Sequence, residues 1–206
     1  MRQKEIFRQF LLTHLPGGSG APLRRFERYH TWLAGENRKI NLISRQTDPE
    51  DIWTVHFLDS LLSISHVDFH GKKVLDFGTG GGLPGIPLAI VYGDAEFTLL
   101  DSRKKKIASV KRAAEHLELD NCRFCDRRLE ELGGQSGDDA FDIIVSRSVK
   151  IEPAYKPVLL KHLKSPGKLV LYKSKILDDV MMFGDAQIFD AGMAEIGERK
   201  IVVVTK

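Results

Sequence analysis

Lys73-Val74-Leu75-Asp76-Phe77-Gly78-Thr79-Gly80-Gly81-Gly82-Leu83-Pro84-Gly85 decides how the chain is read, because an apolar run of strand length passes directly into a turn dense in glycine. Glycine carries no β-carbon, so such a turn bends sharply and lets a ligand lie close to the backbone. A turn that leaves a strand sits at the C-terminal edge of a parallel sheet, where open α/β folds bind their ligands. Downstream, short apolar runs at 97–100, 121–125, 141–146 and 168–172 alternate with charged stretches of helical length. That alternation predicts an α/β fold with a doubly wound, mostly parallel, Rossmann-like sheet. The β-branched tail Lys200–Thr205 is expected to close the sheet as a late, antiparallel edge, and 133–139 reads as a polar loop.

Upstream of the turn the pattern is helical. Leu23, Phe26, Tyr29 and Leu33 recur at helical spacing, and a shorter stripe over 5–15 ends where Pro16-Gly17-Gly18-Ser19-Gly20 breaks it. A third helix has a clear start, with Asp48 as N-cap, Pro49 in the first helical position and Glu50 and Asp51 at the positive end of the helix dipole. It should run to about Ser65. The expected organisation is a helical extension over 1–70 packed on a Rossmann-like domain over 71–206, the two forming one unit. A chain of 206 residues that is 42% hydrophobic has the material for one such core.

Composition excludes more than it selects. The net charge of +3, from 31 basic and 28 acidic residues, does not by itself demand a nucleic-acid partner. Distribution is more informative: basic residues gather at Arg103-Lys104-Lys105-Lys106, at Lys111-Arg112 and around Lys164, Lys168, Lys173 and Lys175. Each cluster is a solvated face unless folding brings it to a binding site. The chain has no run of eighteen apolar residues and opens on mixed charges, so a cytoplasmic protein with no membrane span is expected. Cys122 and Cys125 lack the second pair of a structural zinc site. They are expected to be ordinary reduced thiols, and no metal is expected.

The glycine turn admits two cofactor classes. Gly80, Gly82 and Gly85 satisfy a dinucleotide fingerprint, and Asp101 lies near the distance at which that fingerprint places an acid for a ribose hydroxyl. The pattern Asp76, Gly78, Gly80, Gly82 instead matches the first motif of S-adenosylmethionine-dependent methyltransferases, where the turn receives a methionine moiety and no pyrophosphate. Leu100-Asp101 then ends the second strand with a carboxylate suited to both ribose hydroxyls. The segments 141–145 and 163–170 resemble the fourth and fifth strand regions of that superfamily. The ordered set favours S-adenosylmethionine over a nicotinamide or flavin.

The likeness then becomes closer. Gly78-Thr79-Gly80-Gly81-Gly82-Leu83-Pro84-Gly85-Ile86-Pro87-Leu88-Ala89-Ile90 and Phe97-Thr98-Leu99-Leu100-Asp101-Ser102 resemble the glucose-inhibited division protein B family of bacterial methyltransferases. Asn41-Leu42-Ile43-Ser44 and His56-Phe57-Leu58-Asp59-Ser60 are similar to that family's N-terminal motifs, and Val145-Ser146-Arg147-Ser148 to its motif after the fourth strand. The resemblance covers roughly residues 25 to 206. It departs at Leu129, at Ser148, at Tyr172-Lys173-Ser174 and in a short stretch between Lys175 and Glu198.

The resemblance implies methyl transfer from S-adenosylmethionine to N7 of a guanine in 16S ribosomal RNA, the guanine at position 527 in the 530 loop. The partner would be that RNA or the precursor of the small ribosomal subunit, with a monomer favoured. Asp76, Gly78, Gly80, Gly82, Leu83, Asp101, Leu129, Glu130 and Arg147 would meet the cofactor. Arg147, Asn41, His56 and Arg199 would touch the substrate or line the active site. The plain alternatives are a structural arginine paired with a nearby carboxylate, a helix cap, a core histidine and a surface charge.

Guanine N7 has an exposed lone pair, so the attack needs no general base. The chain correspondingly has Ser146-Arg147 after the fourth strand, where amino-directed methyltransferases carry an Asn/Asp-Pro-Pro-aromatic segment. Rate would come from alignment. The groove exposing N7 in paired A-form RNA is deep and narrow, so the target base should be unpaired or splayed. Rival readings are a methyltransferase of small molecules and a cofactor-binding ribosome assembly factor without catalysis.

Overall fold

The computed structural model describes residues 2–15, 18, 20–132 and 140–206. Pro16, Gly17 and Ser19 of the helix-breaking stretch, and the expected polar loop 133–139, lie outside the described residues. The described chain forms one seven-stranded sheet: β1 (Lys73–Phe77), β2 (Glu96–Leu100), β3 (Cys122–Cys125), β4 (Phe141–Arg147), β5 (Leu163–Lys173), β6 (Gln187–Asp190) and β7 (Lys200–Thr205). Their order is β3-β2-β1-β4-β5-β7-β6. The first five are mutually parallel, and β7 runs antiparallel to both neighbours. The order reverses between β1 and β4, so the glycine turn leaves β1 at the switch point of the sheet.

The strands carry two cores by simple alternation. Val74, Val145, Val170, Ile201 and Val203 join the cluster on one face, while Leu75, Ile144, Leu169, Leu171 and Val202 join the cluster on the other. Successive side chains of a strand point to opposite faces, so near-continuous apolar runs are what a sheet covered on both sides requires.

The helices are α1 (Arg2–His14), α2 (Gly20–Glu36), α3 (Asp59–Leu61), α4 (Gly85–Val91), α5 (Lys104–Leu117) and α6 (Tyr155–His162). Phe7 of α1 and Phe26 and Tyr29 of α2 are fully buried in the same cluster as Val74 and Phe97 of the sheet. Their rings pack on Phe57, with centroids 5.1 Å away for Tyr29 and 5.3 Å for Phe26. Among the described residues one buried cluster holds side chains from both sides of residue 70. No helix among the described residues is long and apolar enough to cross a membrane.

The third helical segment starts as expected, with Asp48 accepting from the Glu50 amide at 2.8 Å and Pro49 next. It then departs from an α-helix. A 3-10 turn (Pro49–Asp51) leads into a π-helix (Ile52–Leu58), then α3, then a second 3-10 turn (Leu62–Ser65). At the end of the π turn the His56 carbonyl accepts from the Asp59 amide, from the Ser60 hydroxyl at 2.6 Å and from a guanidinium of β4 at 3.3 Å. A π turn placed there marks a site that the helix is bent to serve.

Two strand expectations are corrected. The tail strand β7 is antiparallel, but it is internal, because β6 pairs along its far side and takes the edge. β6 spans only four residues with two apolar side chains, too short for a periodic signal. β5 begins five residues before Lys168, with Leu163 opposite Phe141. The ladder then skips to Lys168 opposite Ile143, so 164–167 bulge outward around Pro166.

Tyr172 ties the helical segment to the sheet. Its buried hydroxyl donates to the Ser60 carbonyl at 2.8 Å and lies 2.6 Å from the Ser63 hydroxyl. Tyr172→Phe strands both partners in the core. Its expected cost is about 1–3 kcal/mol in a urea unfolding experiment, and an unchanged midpoint would show that the tie does not hold the layers together.

Candidate active site

The glycine turn is shaped by the acid before it. Asp76 is fully buried, and its Oδ2 accepts from the Thr79 hydroxyl at 2.6 Å and from the Gly85 amide at 2.8 Å. The carboxylate braces both ends of the turn from below. Burial pushes its pKa up to about 6, against these donors and the Arg147 charge, which pull it down. Its Oδ1 has no partner among the described residues.

Gly78 (φ 76°) and Gly82 (φ 90°) occupy conformations that side chains rarely adopt. A β-carbon at Gly78 would also run into Val149 Cγ2, and one at Gly82 would stand 2.9 Å from the Tyr29 hydroxyl. That hydroxyl donates to the Gly81 carbonyl at 2.7 Å, fixing the turn to α2. The 41–44 loop lies against the turn, its Leu42 and Ile43 amides donating to Asn37 Oδ1 at 2.8 and 3.0 Å.

Above the turn opens a cleft of about 780 Å³. Of the residues expected from the sequence, Asn41, His56, Gly78, Gly80, Leu83, Asp101, Leu129, Glu130 and Arg147 line it. Asp76 and Gly82 lie beneath it and do not line it, and Arg199 lines a neighbouring cleft. Asp101 follows β2 directly, with Oδ2 accepting from the Gly80 amide at 3.1 Å and Oδ1 from the Arg103 amide at 2.9 Å. Each oxygen keeps a further lone pair for a ligand. Arg103, Lys106, Arg127 and Arg128 also line the cleft, so folding gathers cations that are scattered in sequence. Desolvation lowers the Lys106 pKa, while the Asp101 charge opposes the shift.

The sequence reading did not single out Asp59, although it lies inside the quoted His56-Phe57-Leu58-Asp59-Ser60 segment. Its buried carboxylate accepts from Arg147 Nη1 at 2.8 Å through Oδ2 and from Arg199 Nε at 2.7 Å through Oδ1. Arg147 also donates through Nη1 to the His56 carbonyl at 3.3 Å and through Nη2 to His56 Nδ1 at 3.4 Å. Arg147 is therefore both a paired structural arginine and a wall of the cleft. Only the spacing of His56 and Asp59 at i and i+3 on one helical face could have signalled the group.

With Nδ1 accepting, the His56 proton sits on Nε2, which faces the Thr47 hydroxyl at 3.5 Å. Burial, then Arg147, then Arg199 lower the His56 pKa to about 3. A histidine held neutral at that value does not serve as a base or acid near neutrality. The arrangement can hold a ligand with a polar diol end at Asp101 and position a second group beside Arg147, and the histidine on its wall is not a proton acceptor near neutral pH.

The two cysteines sit three positions apart in β3, hence on opposite faces of the sheet, and both are free thiols. Burial pushes the Cys122 thiol up to about 12. Among the described residues no group of three or more His, Cys, Asp or Glu side chains is arranged to hold a metal ion.

Comparison with known proteins adds a family. Residues 22–195 match the family model described as rRNA small subunit methyltransferase G. The ribosomal RNA small subunit methyltransferase G of Christiangramia forsetii is 35% identical over 190 residues, covering 88% of this chain and 87% of that one. The protein of the same name from Flavobacterium johnsoniae is 34% identical, covering 91% and 90%. Among solved structures, an O-methyltransferase from Bacillus cereus in complex with SAH superposes with a TM-score of 0.63 at 17% identity, covering 86% of this chain and 90% of that one. Magnesium protoporphyrin IX methyltransferase from Synechocystis superposes with a TM-score of 0.57 at 19% identity over 99% and 97%. At such identities these two report the fold.

The depressed His56 pKa has a consequence for stability. The unfolded chain takes up this proton below about 6.5 and the folded chain only near 3, so the contribution is complete above about pH 6.5 and is lost as pH falls toward 3. Urea melts between about pH 4 and 8 should show the wild type losing stability relative to His56→Asn on acidification. Parallel curves for the two proteins would contradict the buried neutral imidazole.

Proposed function

Because the chain belongs to the rRNA small subunit methyltransferase G family, we propose that this S-adenosylmethionine-dependent enzyme methylates N7 of a guanine in 16S ribosomal RNA. Methyl transfer to small-subunit ribosomal RNA is the family's activity. The choice of N7 rests on the site. The observation that carries it is that Arg147 and His56 wall the cleft above the glycine turn while the histidine is held neutral, which suits a nucleophile that arrives with a free lone pair.

The residues present fit the cofactor. Asp101 offers lone pairs to two ribose hydroxyls, and Gly80, where a β-carbon would have nothing nearer than 3.8 Å, leaves the backbone of the turn open to the methionine end. Buried Leu129 offers an apolar contact for the adenine, and exposed Glu130 a polar one at its edge. When bound, the cofactor supplies an electrophilic methyl group on a sulfonium. The chain's own part is positional. Arg147, held by Asp59 and His56, sets the wall against which the base is aligned; such alignment can supply on the order of 7 kcal/mol. Arg103, Lys106, Arg127 and Arg128 draw the phosphate backbone toward the cleft. Asn41, exposed at the rim, contacts the RNA, while Arg199 acts through Asp59. Asp76 works from beneath, as the brace of the turn. The enzyme then works in the cytoplasm, on 16S ribosomal RNA or on the small-subunit precursor.

Mapping 7-methylguanosine in ribosomal RNA from cells with and without the gene tests the reading: one guanine of the 16S RNA should lose its methyl group when the gene is absent. An unchanged map would overturn it. By calorimetry, Asp101→Ala should weaken binding of S-adenosylhomocysteine by about 1.5–3 kcal/mol, the worth of a hydrogen bond to a charged acceptor. Wild-type affinity in that variant would remove Asp101 from the cofactor site.

A further inference from the structure

Beside the cofactor cleft lies a second one of about 850 Å³. His56, Arg147, Ser148 and Val149 form a wall common to both. Ser148 turns this wall with a left-handed φ of 60°, a strained conformation for a residue with a side chain.

Most charges on the second cleft are consumed within the protein. Arg147 and Arg199 pair with Asp59, Lys173 with Asp179, and Lys200 with Asp190. Lys150 makes only a loose, exposed pair with Glu152 at 3.6 Å. Asp178 stands apart: it is an exposed residue on the lining of this cleft, and among the described residues its carboxylate has no hydrogen-bond or ion-pair partner. Its position is nevertheless fixed. The next residue, Asp179, accepts from the Ile151 amide at 2.8 Å and pairs with Lys173, and Val180 after it is buried. Val55, Leu62, Ile201 and the otherwise exposed Ile176 give the cleft apolar surface for a flat ring.

An unpaired carboxylate accepts hydrogen bonds and donates none. It therefore favours a ligand with two adjacent donors. Guanine has that pair in N1–H and its 2-amino group. Adenine presents an acceptor at N1, which would face the carboxylate lone pairs. Asp178 borders only the second cleft, whereas Arg147, Ser148 and Val149 border both. A guanine held by N1 and N2 at Asp178 turns N7, on the opposite side of the bicycle, toward the common wall and the methyl donor beyond it.

Resting on the functional reading above, we propose that the second cleft receives the target base as an unstacked guanine and that Asp178 selects it by accepting from N1–H and the 2-amino group. Enzymes that act on a base outside its stack read it in this way, through its Watson–Crick edge. Asp178 is thus a specificity-determining residue, and the chemical step itself falls to the groups around Arg147.

The test is binding of guanosine, inosine and adenosine 5′-monophosphates to the full chain loaded with S-adenosylhomocysteine, by calorimetry, for the wild type and Asp178→Ala. The wild type should hold the guanosine nucleotide on the order of tenfold tighter than the adenosine nucleotide, with inosine, which lacks the 2-amino group, between them. In Asp178→Ala the three affinities should converge while S-adenosylhomocysteine binds as before, showing that the cofactor cleft is intact. Equal or undetectable binding of the three by the wild type, or a guanosine preference that survives in Asp178→Ala, would overturn the proposal. These outcomes do not depend on catalysis. A guanosine preference that is missing in the wild type or survives in Asp178→Ala, alongside a 7-methylguanosine that depends on the gene, would reject the role of Asp178 and leave the enzyme's function standing.

Discussion

A single buried carboxylate, Asp59, holds two guanidinium groups, and the arrangement of the site depends on it. Arg147 reaches it from the end of β4 and Arg199 from the residue before β7, 88 and 140 positions away in sequence. Asp59 itself opens α3 directly after the π-helix. One side chain thus joins the N-terminal helical segment to two strands of the sheet. Burying such a group offers little net stability, since desolvation offsets much of the attraction, but removing one partner leaves uncompensated charge in the interior. What the arrangement secures is a fixed place for Arg147, at the wall between two clefts.

A second constraint acts on the other side of that wall. Asp76 stabilises the glycine turn from below, and Val149 packs so closely over Gly78 that no β-carbon fits there. Val149 follows Ser148, whose left-handed backbone turns the chain immediately after Arg147. The floor of the cleft above the glycine turn, the position of Arg147 and one wall of the second cleft are therefore set by one short stretch, 147–149. Lys173 holds that stretch from behind, donating to the Val149 carbonyl at 3.2 Å while paired with Asp179. A change at any of these positions would be felt in both clefts, because packed interiors transmit displacement.

The sheet was legible because its signals are local. The run Lys73–Phe77 reads as a strand from five consecutive residues, and the glycines announce the turn without reference to anything distant. Asp101 was legible for the same reason, as an acid at the end of a strand. Asp59 was not, because its meaning lies in partners that only folding brings near. Asp76 was legible as part of the turn, but its work as an internal brace was not, since a motif does not say whether a carboxylate faces a ligand or the backbone below it. The π-helix escaped because the apolar pattern of 52–58 suits either helical pitch. β6 escaped because two apolar residues carry no period. The charge clusters were visible as clusters, yet only the fold separates Arg103 and Lys106, at the cleft, from Lys111 and Arg112, along α5.

The central claim is that Arg147 acts by the fixed geometry of its planar fork and not merely by its charge, and Arg147→Lys tests it most directly. Lysine keeps the charge but cannot bond Asp59, the His56 carbonyl and His56 Nδ1 together. In single-turnover methylation of ribosomal RNA, with RNA and S-adenosylmethionine both saturating, the variant should transfer methyl at least about tenfold more slowly than the wild type, a change of about 1.4 kcal/mol in the barrier. Its affinities for S-adenosylhomocysteine and for the RNA should stay close to those of the wild type. A variant that keeps the wild-type rate would contradict the account.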